Sequence, residues 1–198
     1  MKDFYTPPAS NSNDAEAQVF MFSQLMNGLF FIELVQVMKV SGTAPNLVVD
    51  VLPLVTQRDH TGAMINNSPV YNVPVFRLQR GTSAVIMDPV VGDIGAILVC
   101  DKDNSGARAN RKPSLPGTDR SHSKSDALYI GGFLNGNPTE YAQFTGTGIN
   151  IKSPGTVNIN GLKILPDGKL QLVDGSIVDG HKHAGITRGG AQTDPLAP

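Results

Sequence analysis

Two hydrophobic periods divide the chain. Between residues 14 and 26, Val19, Phe22 and Met26 recur at spacings of three and four, which places them on one face of a helix. Ser12, Asn13 and Asp14 stand at its start as candidate caps, because a short side-chain oxygen accepts from an orphan helix amide. Asn27-Gly28 ends it, since both residues tolerate the left-handed conformation. From Leu29 onward the period falls to two. Phe31, Glu33, Val35, Val37 and Lys39 alternate with Phe30, Ile32, Leu34, Gln36 and Met38 in a long stretch without helix breakers. Thr43-Ala44-Pro45-Asn46 predicts a turn, and further strands are expected over residues 47–55, 70–79, 83–87 and 93–101. Four or five strands with short turns in roughly 100 residues fit a small β-barrel, with a sandwich as the alternative.

Residues 101–126 form a polar segment. Their later part carries the basic residues Arg108, Arg111, Lys112, Arg120 and Lys124, read as solvated surface with an interface as the alternative. Beyond residue 139 the strands become very short and glycine-separated. The apolar residues pair as Ile149/Ile151, Val157/Ile159, Leu162/Ile164 and Leu170/Leu172, each pair separated by one polar residue. One such piece recovers about 3–6 kcal/mol by burying two side chains. Ordering its backbone costs about 1–2 kcal/mol per residue. The pattern is therefore expected to fold by winding identical strands from three chains around a shared core, a monomeric hairpin tail being the alternative.

Composition narrows the function. A net charge of −1 offers no basic excess for nucleic acid, so no nucleic-acid partner is expected. With 40% hydrophobic and 17% charged residues, the chain is not wholly disordered. Aromatic residues make up 6% and tryptophan is missing, which provides poorly for a stacking platform. The lone Cys100 excludes an intrachain disulfide and, inside the apolar run 94–100, reads as a buried small hydrophobe. The first residues lack the apolar core of a signal peptide. The apolar stretch 19–40 is interrupted by Gln24, Asn27, Glu33, Gln36 and Lys39, so no membrane span is expected and any membrane is met from outside. His60 beside Asp59, and His122 near Asp119 and Asp126, lie in hydrophilic sequence and read as solvated surface. Neither a nucleophile elbow, a P-loop nor a metalloprotease helix is found, and no enzyme activity is expected.

The sharpest motif is Asp179-Gly180-His181-Lys182-His183-Ala184-Gly185. Residues two apart in a strand share a face, so His181 and His183 point the same way. Asp179 joins them if the strand is regular, and a bulge at Gly180 would destroy that parity. Two imidazoles are too few for a firm site, but three chains supply six nitrogens. Structural zinc prefers four ligands, and calcium and magnesium prefer oxygen. An all-imidazole octahedron leaves iron(II) first, with nickel or cobalt next. Such an ion has no open position and holds structure without catalysing. The chain then runs to Pro198 in small residues and proline, which suits a tight fold-back at a narrow apex.

His181-Lys182-His183-Ala184-Gly185-Ile186, followed by Gly189-Gly190, Thr193 and Pro195, resembles the apex motif of the central spike proteins of contractile phage tails. Residues 149–172, with Ser153-Pro154-Gly155-Thr156-Val157-Asn158-Ile159-Asn160-Gly161, resemble the β-helix of that family. Residues 29–133 look similar to the oligonucleotide/oligosaccharide-binding (OB) barrel that precedes the helix. The resemblance implies a mainly β chain arranged as an arm and short helix (1–28), an OB-like barrel (29–138), a triple-stranded intertwined β-helix (139–180) and a metal-binding apex (181–198). It implies a homotrimer at the distal end of the virion tail, attached to baseplate hub or tail tube proteins through its N-terminal region. Such a spike pierces the bacterial outer membrane mechanically, with one iron ion per trimer held by His181 and His183 of each chain. Some members also carry buried calcium and chloride, to which no residue here is assigned. The helix over residues 14–26 has no counterpart in the family pattern. The alternative function is a glycan-binding or peptidoglycan-degrading tail-associated module.

Overall fold

The helix expected near the start forms over Asp14–Met26 (α1). Its end is closed by Gly28 N donating to Leu25 O and Leu29 N donating to Met26 O. No residue of α1 is buried, so its apolar face finds no cover within the described chain. These observations come from a computed structural model that describes residues 14–26 and 28–180. The chain is mainly β and divides into two units, residues 1–135 and 136–198.

The first unit is built on one long hairpin. Strand β1 (Ile32–Thr43) turns through Ala44-Pro45 into β2 (Asn46–Pro53), with a register running from Val35 opposite Pro53 to Thr43 opposite Asn46. Two short pairs follow: β3 (Gln57–Arg58) with β4 (Met64–Ile65), and later β6 (Leu78–Arg80) with β7 (Ser83–Val85). The remaining strands are β5 (Val70–Pro74), β8 (Ile94–Val99) and β9 (Ala127–Gly132). They complete an antiparallel sheet of order β5-β2-β1-β8-β9. Register slips at Val37/Lys39, Val49/Val51 and Ala96/Ile97 bend the sheet, because an extra unpaired residue increases local twist. The result is a curled half-barrel. Its edge strands approach one another where Val75 bridges Tyr129 in parallel and Phe76 N donates to Tyr129 O at 2.7 Å.

Inside the curl lie Val35, Val37, Val49, Val51, Val70, Val73, Ile97, Val99, Ala127 and Tyr129. Valine dominates because a β-branched side chain is stiff and fills the pleat between neighbours. Tyr129 is the largest fully buried side chain, and it fits only because residue 95 has none. A Cβ on Gly95 would strike the Gly131 carbonyl oxygen and come within 2.7 Å of the Tyr129 hydroxyl. Gly95→Ala is expected to cost about 1–3 kcal/mol through overpacking, read as a lower midpoint in urea with unchanged m-value. A wild-type midpoint would mean that β8 and β9 shift apart freely.

Several expectations need correction. The strand expected over residues 70–79 ends at Pro74: Val75 N still donates to Leu47 O of β2, but Phe76 N turns away to Tyr129 O of β9. The polar stretch 101–126 contains a short helix, α2 (Ser105–Asn110), and leads directly into β9. Cys100 is half-buried rather than buried. Among the described residues, no helix is long and apolar enough to cross a membrane.

In the second unit β10 (Tyr141–Thr145) pairs with β11 (Gly148–Lys152) as a hairpin. Strands β12 (Val157–Ile159), β13 (Leu162–Ile164) and β14 (Leu170–Gln171) form a three-stranded antiparallel sheet. Three of the turns use glycine at positive φ, at Gly161, Gly168 and Gly175, where an L side chain would be strained.

Candidate functional site

The register of the second unit sorts its side chains cleanly. In the hairpin, Phe144 stands opposite Ile149 and Ala142 opposite Ile151, so these four share one face. Gln143 and Asn150 oppose one another on the other face, as do Tyr141 and Lys152. In the three-stranded sheet, Val157 opposes Ile164, which opposes Leu170, and Ile159 opposes Leu162. Asn158, Lys163 and Gln171 line the reverse side. Both sheets are therefore amphipathic, one face apolar and one polar.

Within the single chain the hairpin's apolar face stays open, whereas that of the three-stranded sheet is half-covered at Val157, Leu162 and Leu170. Phe144 is 79% exposed, Ile151 63%, Ile149 59% and Ile159 52%. Every residue of β10 and β11 is exposed. An isolated hairpin is marginal in water even when well formed, and these sheets have no layer of their own chain to pack against among the described residues. Exposed apolar side chains gathered on one face are the kind of surface that interaction sites use.

The chain leaves this unit under tight local control. Ile177 bridges back to Gln171, and Val178–Gly180 makes a single 3-10 turn. Asp179 Oδ2 accepts from Leu170 N at 2.8 Å, which ties the turn to β14. This corrects the strand parity considered for Asp179 and His181: residues 178–180 are not extended, and the Asp179 carboxylate is engaged by a backbone amide. His181 and His183 lie outside the described residues. Among the described residues, no cluster of three or more His, Cys, Asp or Glu side chains is placed to hold a metal.

Asp59, Asp103, Asp126 and His122 of the first unit are engaged in local structure. Asp59 holds the β3–β4 turn by accepting from Thr61 N, Thr61 Oγ1 and Ala63 N at 2.7–2.9 Å. The stretch around His122 is not the solvated surface expected from its sequence. Asp126 and Asp103 are both buried. Arg120 donates to Asp126 through Nε at 2.7 Å and Nη2 at 2.9 Å, and Nη2 lies 3.0 Å from Asp103. Asp126 also accepts from Asn104 N, while Asp103 accepts from Ser105 N and the Thr118 hydroxyl. One guanidinium and two carboxylates thus tie the two ends of the polar segment together, and Cys100 N donating to Asp126 O holds that end beside β8. His122 packs on Phe31, with ring centroids 4.6 Å apart. Lys124 sits 4.2 Å from the Phe30 ring centre and pairs with Glu33 at 2.7 Å. Sequence reasoning missed this cluster, although the buried partner of Arg120 lies only six residues away.

This arrangement predicts an acid-sensitive segment. Hydrogen bonds from Ser105 hold the Asp103 carboxyl down to about 2 from its ordinary 3.8, helped by Thr118 and the charge of Arg120. Asp126 is lowered too, first by the Arg120 hydrogen bonds. A folded value below the unfolded one contributes stability fully above the unfolded value, and that stability is lost as pH falls through the folded value. Amide protection across residues 103–126, corrected for intrinsic exchange, should therefore hold at pH 4 and collapse toward pH 2. Asp103→Asn should flatten that dependence, and equal protection at pH 4 and pH 2 in wild type would refute it.

No protein-family model matches the chain, and no curated protein matches it in sequence.

Proposed function

We propose that this chain is one of three identical subunits of a membrane-piercing spike, carried at the distal end of a contractile phage tail or a related injection machine. The observation that carries this reading is the open apolar face of the hairpin in the second unit, Phe144, Ile149 and Ile151, with Ile159 exposed on the next sheet. Three copies bring each of these side chains against two symmetry mates and form the triple-stranded β-helix. The strand order of the first unit also supports it. Five strands in the order β5-β2-β1-β8-β9, with a parallel contact between the edge strands, have the connectivity of an OB barrel. Fold alone does not fix function, so the exposed apolar face of the second unit is read together with the motif that follows it in the sequence.

At the apex, His181 and His183 of each chain supply six imidazole nitrogens for one iron ion. That donor set suits an octahedral ion without an open position, which holds three chain ends together. The Asp179–Leu170 hydrogen bond anchors each chain immediately before this point. The shaft resists axial load because its core and hydrogen bonds are shared, so no chain shears out alone. A narrow, tied tip concentrates force on a small area of the bacterial outer membrane. The N-terminal region attaches the spike to the baseplate hub or tail tube proteins. This is a mechanical role with no catalytic residue.

Mass and metal content of the purified full chain test the proposal together. Three chains per particle and one metal ion per three chains are expected. A folded, metal-free monomer would overturn it.

A further inference from the structure

The polar segment of the first unit displays a surface that the spike reading does not use. Its acids, Asp101, Asp103, Asp119 and Asp126, flank a stretch, residues 104–118, that holds Arg108, Arg111 and Lys112 and no acid. All three cations are exposed. None of them joins an ion pair among the described residues. A chain of net charge −1 thus carries a local excess of three positive charges.

The same stretch is held in a defined shape. Ser105 N and Thr118 Oγ1 both donate to Asp103 and close it at the base. Arg111 N donates to Ala107 O at 2.8 Å and ends α2. Ser114 Oγ donates to Lys112 O at 3.1 Å. A Cβ on Gly106 would come within 3.2 Å of the Leu115 carbonyl oxygen, so the backbone at Leu115 lies against α2. Leu115 itself is 89% exposed, more than any other large apolar residue described. The cations and this leucine therefore emerge from touching stretches of backbone.

That pairing discriminates between partners. A soluble polyanion would meet the cations and leave Leu115 wet. A phospholipid surface offers phosphates to the cations and, just beneath them, an acyl boundary to an apolar tip. We infer that residues 105–116 form a docking surface for an anionic phospholipid membrane. Arg108, Arg111 and Lys112 lie against headgroup phosphates, and Leu115 enters the acyl boundary. Each cation contributes about fivefold at such a surface, and burial of the leucine about tenfold. Half-saturation then falls at roughly 1 mM lipid for one chain, and lower where linked copies engage together. The surface belongs to the first unit and does not depend on His181, His183 or the shaft.

Flotation of the full chain with vesicles of phosphatidylglycerol and phosphatidylcholine in equal parts tests it, against vesicles of phosphatidylcholine alone. The protein is expected to float with the anionic vesicles only and to be released as salt rises, because exposed charges are screened. Arg108→Gln or Lys112→Gln should weaken partition about fivefold. Leu115→Ser, which leaves the charge unchanged, should weaken it about tenfold. These variants should melt with wild type, since no residue of α2 is buried and Leu115 is exposed. The chain has no tryptophan, so Leu115→Trp supplies a single reporter, whose emission should shift to the blue on anionic vesicles and stay unshifted with soluble polyphosphate. Equal flotation with neutral vesicles, wild-type partition of Leu115→Ser, or a tryptophan unshifted by anionic vesicles would overturn the assignment. Binding to polyphosphate as tight as to anionic vesicles, unaffected by Leu115→Ser, would give the surface to a soluble polyanion instead.

Discussion

Sedimentation equilibrium of the full chain at low micromolar concentration is expected to return three times its 21.0 kDa mass, and Ile151→Asp is expected to abolish that assembly. The argument begins with what one chain leaves undone. Phe144, Ile149, Ile151, Ile159, Ile164 and Leu172 are each at least two-fifths exposed. Covering one such side chain recovers about 1–2 kcal/mol of the full burial value, hence on the order of 10 kcal/mol per chain. That exceeds what an amphipathic hairpin supplies for itself, so assembly and folding of the second unit should coincide. Ile151 lies opposite Ala142 on the apolar face. An aspartate there would place three carboxylates near the axis without counter-charges, at a cost of several kcal/mol per ion. Asn150→Asp is the matched control, because Asn150 occupies the polar face beside it. It should assemble normally. Residues 1–135, a compact unit with its own valine core, should stay folded when expressed alone and should trimerise weakly or not at all. A wild-type monomer with a protected second unit, or an assembled Ile151→Asp protein, would remove the basis for the shaft.

Legibility in the sequence followed the range of the interactions. The Asp14–Met26 helix was readable from its own spacing and flanking residues, because helix formation is local. Strand β11 was readable at Gly148–Lys152, where isoleucines alternate between glycine and lysine. Strand β10 was not, because Ala142 and Phe144 form a weak alternation whose meaning depends on Ile151 and Ile149 across the hairpin. The end of the strand expected over 70–79 was equally hidden. It is fixed where Phe76 leaves β2 to donate to Tyr129, which is remote in sequence. The polar segment was misread for a further reason. Composition reports that Arg120, Asp103 and Asp126 are hydrophilic, but a complementary set of charges can be buried together when each finds its partners. Residue 95 carried a signal that patterning does not weigh: a glycine inside a strand marks a close approach of another backbone, here that of Gly131.

Metal content is expected to respond completely to either histidine of the apex. In the proposed spike, wild-type protein should contain one ion per three chains, with iron first and nickel or cobalt next. Zinc is disfavoured because it rarely accepts six nitrogens. His181→Ala or His183→Ala removes three of six ligands at once, since every substitution is repeated by symmetry. The remaining three imidazoles leave half the octahedron to water, and stoichiometric metal should be lost from each variant. The trimer should nevertheless persist, because Ile149, Ile151, Val157 and Ile159 belong to sheets further up the chain. Loss of metal with retention of mass therefore separates the apex from the shaft. Free imidazole binds metal only when neutral, so reloading a stripped protein should fail as pH falls below the unperturbed histidine value of about 6.5. An enclosed, fully coordinated ion is expected to exchange slowly, so brief exposure of the loaded trimer to the same pH should leave most of its metal in place. Elemental analysis after reloading across pH 5 to 8 measures both behaviours. Metal-free wild-type protein, or full occupancy in either alanine variant, would show that the histidine pair is not a ligand set.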